Sequence, residues 1–513
     1  MRQYVLFLLI IAGLSLISCR DDFEFEPSGG GLEFSRDTVY LDTVFTNIGS
    51  STYTLKVYNR SNRDISIPSV KLKRPDSKYR LMVDGMSGQS FENVELLAKD
   101  SMFIFIETTV DVAEANPDDF LYTDELQFFN TNGVQEVHLV TLIQDAIFLY
   151  PQRFDDGSYE SIPLNPGEPD RIYGFYLDEN DPNHGNELRW TNEKPYVIYG
   201  YAAVPPGKTL IVDPGARVHF HADSGLLVSS GATIAAGNAN NPPTEAGQIV
   251  FEGDRLEPRF AETPGQWGTV WLRNGSTANT MSNIIIKNAT VGLLVEGNDG
   301  TPETLKLRNM QVYNCSNVGI LARNGHITAT NLVVNKAGEA SLGLTFGGIY
   351  NFTHCTIANY FNNFNQFPLV LNDYRETSST IEVTDLNAQF INCIFFGLGN
   401  RGISLENKGI QASTPPVFGY QFQNCLIKFF DFSNEYASNP LYQFNGPNYP
   451  GSKRARNSSE NRPQFRNPQN NDLRISEGSA AVNAGFDAGV PVDILGNPRN
   501  GAPDIGAYEF VSE

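Results

Sequence analysis

Apolar and polar residues alternate along most of this chain in short runs, the pattern of β-strands with one buried face. Between Leu32 and Ile143 the runs are Thr38–Phe45, Thr52–Tyr58, Ile65–Lys71, Met102–Thr108, Glu125–Phe129 and Val134–Leu142. Polar turns such as Asn59-Arg60-Ser61-Asn62 and Asn130-Thr131-Asn132-Gly133 separate them. That spacing predicts an antiparallel β-sandwich over 32–145. Residues 146–190 are rich in Pro, Gly and Asp and read as a linker.

Beyond the linker the pattern repeats. An asparagine followed by an apolar residue, with another two positions on, recurs at Asn283, Asn309, Asn331, Asn392 and Asn424, and His354 takes its place once. Apolar or small residues precede it at −4 and −2, as at Leu305/Leu307 and Tyr420/Phe422, and a glycine opens a further strand at Gly292, Gly319 and Gly402. Several short strands per turn of about 23 residues, none able to bury its own face, predict a solenoid over 191–430 with a cap over 431–513. The asparagine suits a bend in the left-handed region, and stacked amides can hydrogen-bond from turn to turn. On the same alignment Cys355, Cys393 and Cys425 share the inward slot of Ile284, Met310 and Leu332. They read as core fillers; there is no CxxC pair to suggest zinc or a disulfide framework. Cys315, out of register, is also expected to be buried.

The N-terminus follows a different logic. Arg2 precedes an apolar run from Tyr4 to Ile17, too short for a spanning helix, which needs about 20 residues. This is the layout of a signal peptide over 1–18, followed by an acidic tether over 19–31. Leu16-Ile17-Ser18-Cys19 resembles the bacterial lipobox, which implies fatty acylation of Cys19 (palmitate-type chains) and anchoring to a membrane. Arg20-Asp21-Asp22-Phe23-Glu24-Phe25-Glu26 resembles the export signal of Bacteroidota surface lipoproteins, which implies an outer-membrane protein facing the exterior; a periplasmic tether is the alternative.

Two further resemblances bear on fold. Val57-Tyr58-Asn59 ahead of Ile65–Val70 is similar to immunoglobulin-like domains of the sperm-protein/hydin type. The segment Trp190–Gly200, then Gly207–Phe220 and Gly265-Gln266-Trp267-Gly268-Thr269-Val270, resembles right-handed parallel β-helix proteins of the pectate-lyase-like superfamily. Asp493-Ile494-Leu495-Gly496-Asn497-Pro498-Arg499 and Pro503–Glu509 resemble the closing motif of Bacteroidota β-helix surface proteins. The expected fold is therefore all-β: an N-terminal antiparallel β-sandwich, then a right-handed parallel β-helix.

Composition narrows the partners. The 513 residues carry a net charge of −21, which excludes a general nucleic-acid surface and opposes acidic polysaccharides unless a cation bridges them. Lys453-Arg454-Ala455-Arg456 is the basic exception; it reads either as a solvated loop or as a dock for phosphate-bearing lipopolysaccharide. Candidate chemistry is sparse. Asp373, Arg375, Glu376, Glu382 and Asp385 cluster in an insertion between repeats, where a substrate cleft would form. His219, His221 and Asp223 share the outward face of one strand, and two His at i, i+2 can chelate a metal. Asp178–Gly185 is oxygen-rich and could hold Ca²⁺, though Pro182 interrupts the ligand spacing. No GxSxG, P-loop, dinucleotide fingerprint or HExxH occurs. Two functions stay open: an anchored, non-catalytic scaffold binding a glycan or an outer-membrane protein partner, and a Ca²⁺-dependent polysaccharide lyase or hydrolase.

Overall fold

The computed structural model describes residues 24–115, 120–165, 167, 169–238, 244–297, 303–362 and 365–512. Leu16, Ile17, Ser18 and Cys19 lie outside them. The chain divides into two compact units, Met1–Asp145 and Ala146–Glu513. No helix among the described residues is long and apolar enough to cross a membrane.

The first unit is a sandwich of two sheets. One runs in the order Glu26–Pro27, Ile65–Leu72, Leu121–Asn130, Gly133–Gln144, Thr38–Phe45, with Ser90–Leu96 also on Ile65–Leu72. The other runs Glu33–Phe34, Tyr53–Tyr58, Ser101–Thr108, Tyr79–Val83, Met86–Gly88. Alternation works as expected: Leu55, Ile67, Ile104, Leu126 and Leu139 are fully buried between the sheets. Pairing is mainly antiparallel, with parallel pairs at Glu26–Pro27 and Thr38–Phe45.

In the second unit 26 described strands form one continuous sheet in which each strand pairs mostly with the third strand on, in parallel. That is the hydrogen-bonding of a three-sided parallel β-helix. On one side, Val218, Phe251, Ile286, Val312, Val334, Ile357, Phe395 and Ile427 stand in register from turn to turn, all buried. Another inward column runs through Phe352, Phe390 and Phe422 to Tyr449, with successive rings stacked at 5.5, 4.8 and 5.4 Å. Gly319 opens its strand because a Cβ there would lie 2.5 Å from the Ser341 carbonyl oxygen.

Two boundaries differ from the sequence reading. The stretch expected as a linker over 146–190 already belongs to the β-helix: Ile147–Leu149 pairs with Tyr196–Ile198, and Arg171–Tyr176 with Tyr201–Val204. Its loops dominate its composition and hide these short strands. The stretch expected as a cap over 431–513 adds one strand, Lys453–Ala455, to the last turn. The segment beyond that strand runs back along the flank of the β-helix. Leu473, Ile494, Ala507 and Tyr508 cover Val333 and Ala358, while Ile475, Ala481 and Ile505 cover Ile394, Phe396 and Leu426.

Candidate functional site

The asparagine turns organise the covered flank. Asn283, Asn309, Asn331, His354, Asn392 and Asn424 all have φ between 49° and 55°. Asn331 Nδ2 donates to Asn309 Oδ1 at 2.9 Å, and Asn392 Nδ2 to His354 Nε2 at 3.0 Å. The returning C-terminal segment docks on these turns: Val492, Phe486 and Ala484 accept from Asn331, Asn392 and Asn424. The motif over Asp493–Glu509 folds into a clasp. Fully buried Asp493 accepts from the backbone N–H of Leu495, Asn497 and Glu509, and Arg499 pairs with Glu509 while donating to Asn331 Oδ1. Cys355, Cys393 and Cys425 stack in the slot below, each fully buried, and burial pushes the Cys355 and Cys393 thiols well up. Cys315 is buried as well. This flank is architecture.

The carboxylates of the insertion do not converge either. Asp373 is fully buried and accepts from the backbone N–H of Lys408 and Gly409 at 2.9 Å each. Arg375 pairs with Glu382 across a hairpin, Glu376 pairs with Lys408, and Asp385 accepts from Val417 N. Each acid pins a turn or a cation, so the expected acid/base group is a structural one.

His219 and His221 each take partners of their own. His219 is 3 % exposed, faces the Gly253 carbonyl at 3.2 Å, and burial pushes its pKa down. The His221 ring stacks on Tyr199 at 4.4 Å and its Nδ1 meets Asp254 at 2.7 Å, a bond that raises its pKa. Asp223 sits in a left-handed turn. In the Asp178–Gly185 loop, Asp178 and Asp181 already accept from backbone N–H groups of Asn180, Asn183 and His184.

The basic run is where the structure departs most usefully from expectation. Lys453-Arg454-Ala455 is a strand, and Arg454 is in register with Ile427, so it takes the next place in the inward column. No further turn covers it. Its guanidinium lies over Phe429 at 5.2 Å and Phe444 at 4.9 Å, and its Nε donates to the Phe429 carbonyl at 2.9 Å. The terminal nitrogens carry no hydrogen bond among the described residues. The loop over 431–452 folds across this end and leaves a polar cavity of about 560 Å³ lined by Asp431, Asn434, Tyr436, Tyr442, Phe444 and Arg454, among others. Arg456 stands at its edge, and Lys453 turns away to the Ala480 carbonyl. Asp431 accepts from the Glu435 and Tyr436 N–H groups, which hold its carboxylate in the lining alongside Arg454 and Arg456. Half-buried by ring faces, Arg454 is a preorganised donor for a planar oxyanion.

The aromatic side of this site, Phe429, Tyr436, Tyr442 and Phe444, was not singled out by pattern, although aromatic density over 429–449 is visible in the sequence. Glu187, which the fold brings beside His184, carried no sequence signal. Comparison with known family models gives no match for this chain, and comparison with curated protein sequences gives none either.

Proposed function

We propose that this chain is a lipid-anchored cell-surface protein whose β-helix holds an anionic glycan in the cavity at its last turn. The carrying observation is Arg454, fixed between two rings and through its Nε, with no hydrogen bond from its terminal nitrogens among the described residues. A cavity of about 560 Å³ is in the range of small-ligand sites, about 300–1,000 Å³. Tyr436 and Phe444 give the lining an aromatic side, and the guanidinium offers two parallel N–H groups to a carboxylate or phosphate. With a net charge of −21, the rest of the chain disfavours anions elsewhere. The lyase or hydrolase reading needs paired carboxylates facing a groove, and those at 373–385 are committed to turns and cations. The test is a screen of the chain against acidic oligosaccharides and their neutral counterparts. Selective retention of uronate- or phosphate-bearing glycans supports the proposal, and retention of neutral glycans alone refutes it.

A protein partner has one observation in its favour. Phe103, Phe105, Met82 and Met86 are each about half exposed on the outer face of one sandwich sheet. Contiguous exposed Phe and Met mark docking surfaces. If an outer-membrane protein docks there, replacing Phe103 and Phe105 by Asp abolishes its co-purification and leaves glycan retention unchanged.

A further inference from the structure

The loop over 178–187 joins the strands Arg171–Tyr176 and Arg189–Trp190 at the first turns of the β-helix. Asp181 and Gly185 exchange both backbone hydrogen bonds at 2.9 Å, which closes a tight turn. That turn places His184 Nδ1 at 3.2 Å from Asp181 Oδ1 and 3.0 Å from Glu187 Oε1, and the three atoms lie within 4.8 Å of one another. The geometry points to a zinc-type divalent cation site formed by Asp181, His184 and Glu187.

Three lines of chemistry support it. Zinc bonds of about 2.0–2.2 Å in a tetrahedron separate neighbouring ligand atoms by roughly 3.3–3.5 Å, so the two His184 contacts need to open by only a few tenths of an ångström. Backbone donors fix both carboxylates: Asp181 Oδ1, the oxygen that faces His184, also accepts from Asn183 N and His184 N at 2.8 Å, and Glu187 is held through its other oxygen, Oε2, by Asp178 N at 2.9 Å. Such backing orients metal ligands. Glu187 is 8 % exposed, and a separate cavity of about 260 Å³ is lined by His184 and Glu187 together with Arg189, Thr191 and Tyr196. A buried carboxylate calls for a compensating cation, and the cavity gives a metal room for a water as fourth ligand. One imidazole and two carboxylates suit zinc better than calcium, which takes six to eight oxygens. The metal would staple the loop over 178–187 to itself at the start of the β-helix.

The test is calorimetric titration of the chelator-treated chain with Zn²⁺ and with Ca²⁺, paired with thermal unfolding. One equivalent of Zn²⁺ should bind and raise the melting temperature, with Ca²⁺ unable to replace it. His184→Gln should weaken binding by about tenfold or more, while His221→Gln leaves it unchanged. Asp181→Asn, at a half-buried position, serves as a second variant should His184→Gln fail to fold. Absence of Zn²⁺ binding overturns the inference, as does binding that survives His184→Gln or Asp181→Asn, or that is lost in His221→Gln.

Discussion

Asn331 shows how much one residue of this fold carries. Its backbone is left-handed, its amide donates to Asn309 and to the Val492 carbonyl, and its carbonyl oxygen accepts from Arg499. Asn331→Ala should cost about 2–5 kcal/mol in urea unfolding, combining roughly 1–2 for a left-handed non-glycine residue with roughly 1–3 for stranded buried partners. Asn331→Gly removes only the amide and should cost less. His354 occupies the equivalent turn, and burial pushes its pKa down to about 3. Its Nε2 accepts from Asn392, so the neutral ring is the bonded form. A base with a lowered folded pKa is protonated first in the unfolded chain. Stability is therefore lost as pH falls below about 6.5, by about 1.4 kcal/mol per pH unit. His221, whose pKa is raised, acts in the opposite sense: its contribution is present at acid pH and fades as pH rises. His354→Asn restores the residue of the other turns. Denaturant unfolding from pH 7 down to 5 should show the variant gaining on the parent as pH falls; parallel curves would contradict this. The turn asparagines are legible in sequence because few residues tolerate that backbone. That Val492 and Arg499 would be their partners is not, because both lie far along the chain and outside any period.

At the scale of elements, several strands after the asparagines are apolar on both faces, as in Asn392-Cys393-Ile394-Phe395-Phe396. Such runs need covering on both sides. Cys393 and Phe395 point into the β-helix core, and Ile394 and Phe396 are covered by the returning segment. The periodicity thus contained a sign of an outer cover, but not its identity, since the cover is irregular and reads as loop. A chain ending at Pro463 leaves those outer faces bare. It should bind a hydrophobic dye and self-associate on gel filtration, whereas a merely decorative tail would leave a monomer with unchanged dye response. The same contrast explains the other boundary. The strands Ile147–Leu149 and Arg171–Tyr176 are too short to stand out against the Pro, Gly and Asp between them. Six strands of the sandwich, by contrast, are legible from period two alone, whereas Tyr79–Val83, Met86–Gly88 and Ser90–Leu96 are not among the runs it picks out.

At the scale of the whole chain, the proposal joins an address read from the N-terminal pattern to a ligand held at the last turn of the β-helix. Cys19→Ser should move the protein from the membrane fraction to the soluble one; retention would mean that partners rather than lipid hold it. The basic run over 453–456 was legible as an exception in an acidic chain, yet its burial among rings was not, because Arg454 enters the site only through its register with Ile427. The central claim is that this arginine selects an anion. Calorimetric titration of the best acidic oligosaccharide into the parent and Arg454→Ala chains tests it most directly. Binding should weaken by about tenfold or more in the variant, the loss of one or more charge-assisted hydrogen bonds of about 1.5–3 kcal/mol, and weaken with salt in the parent alone. Equal affinity in both chains would contradict the claim.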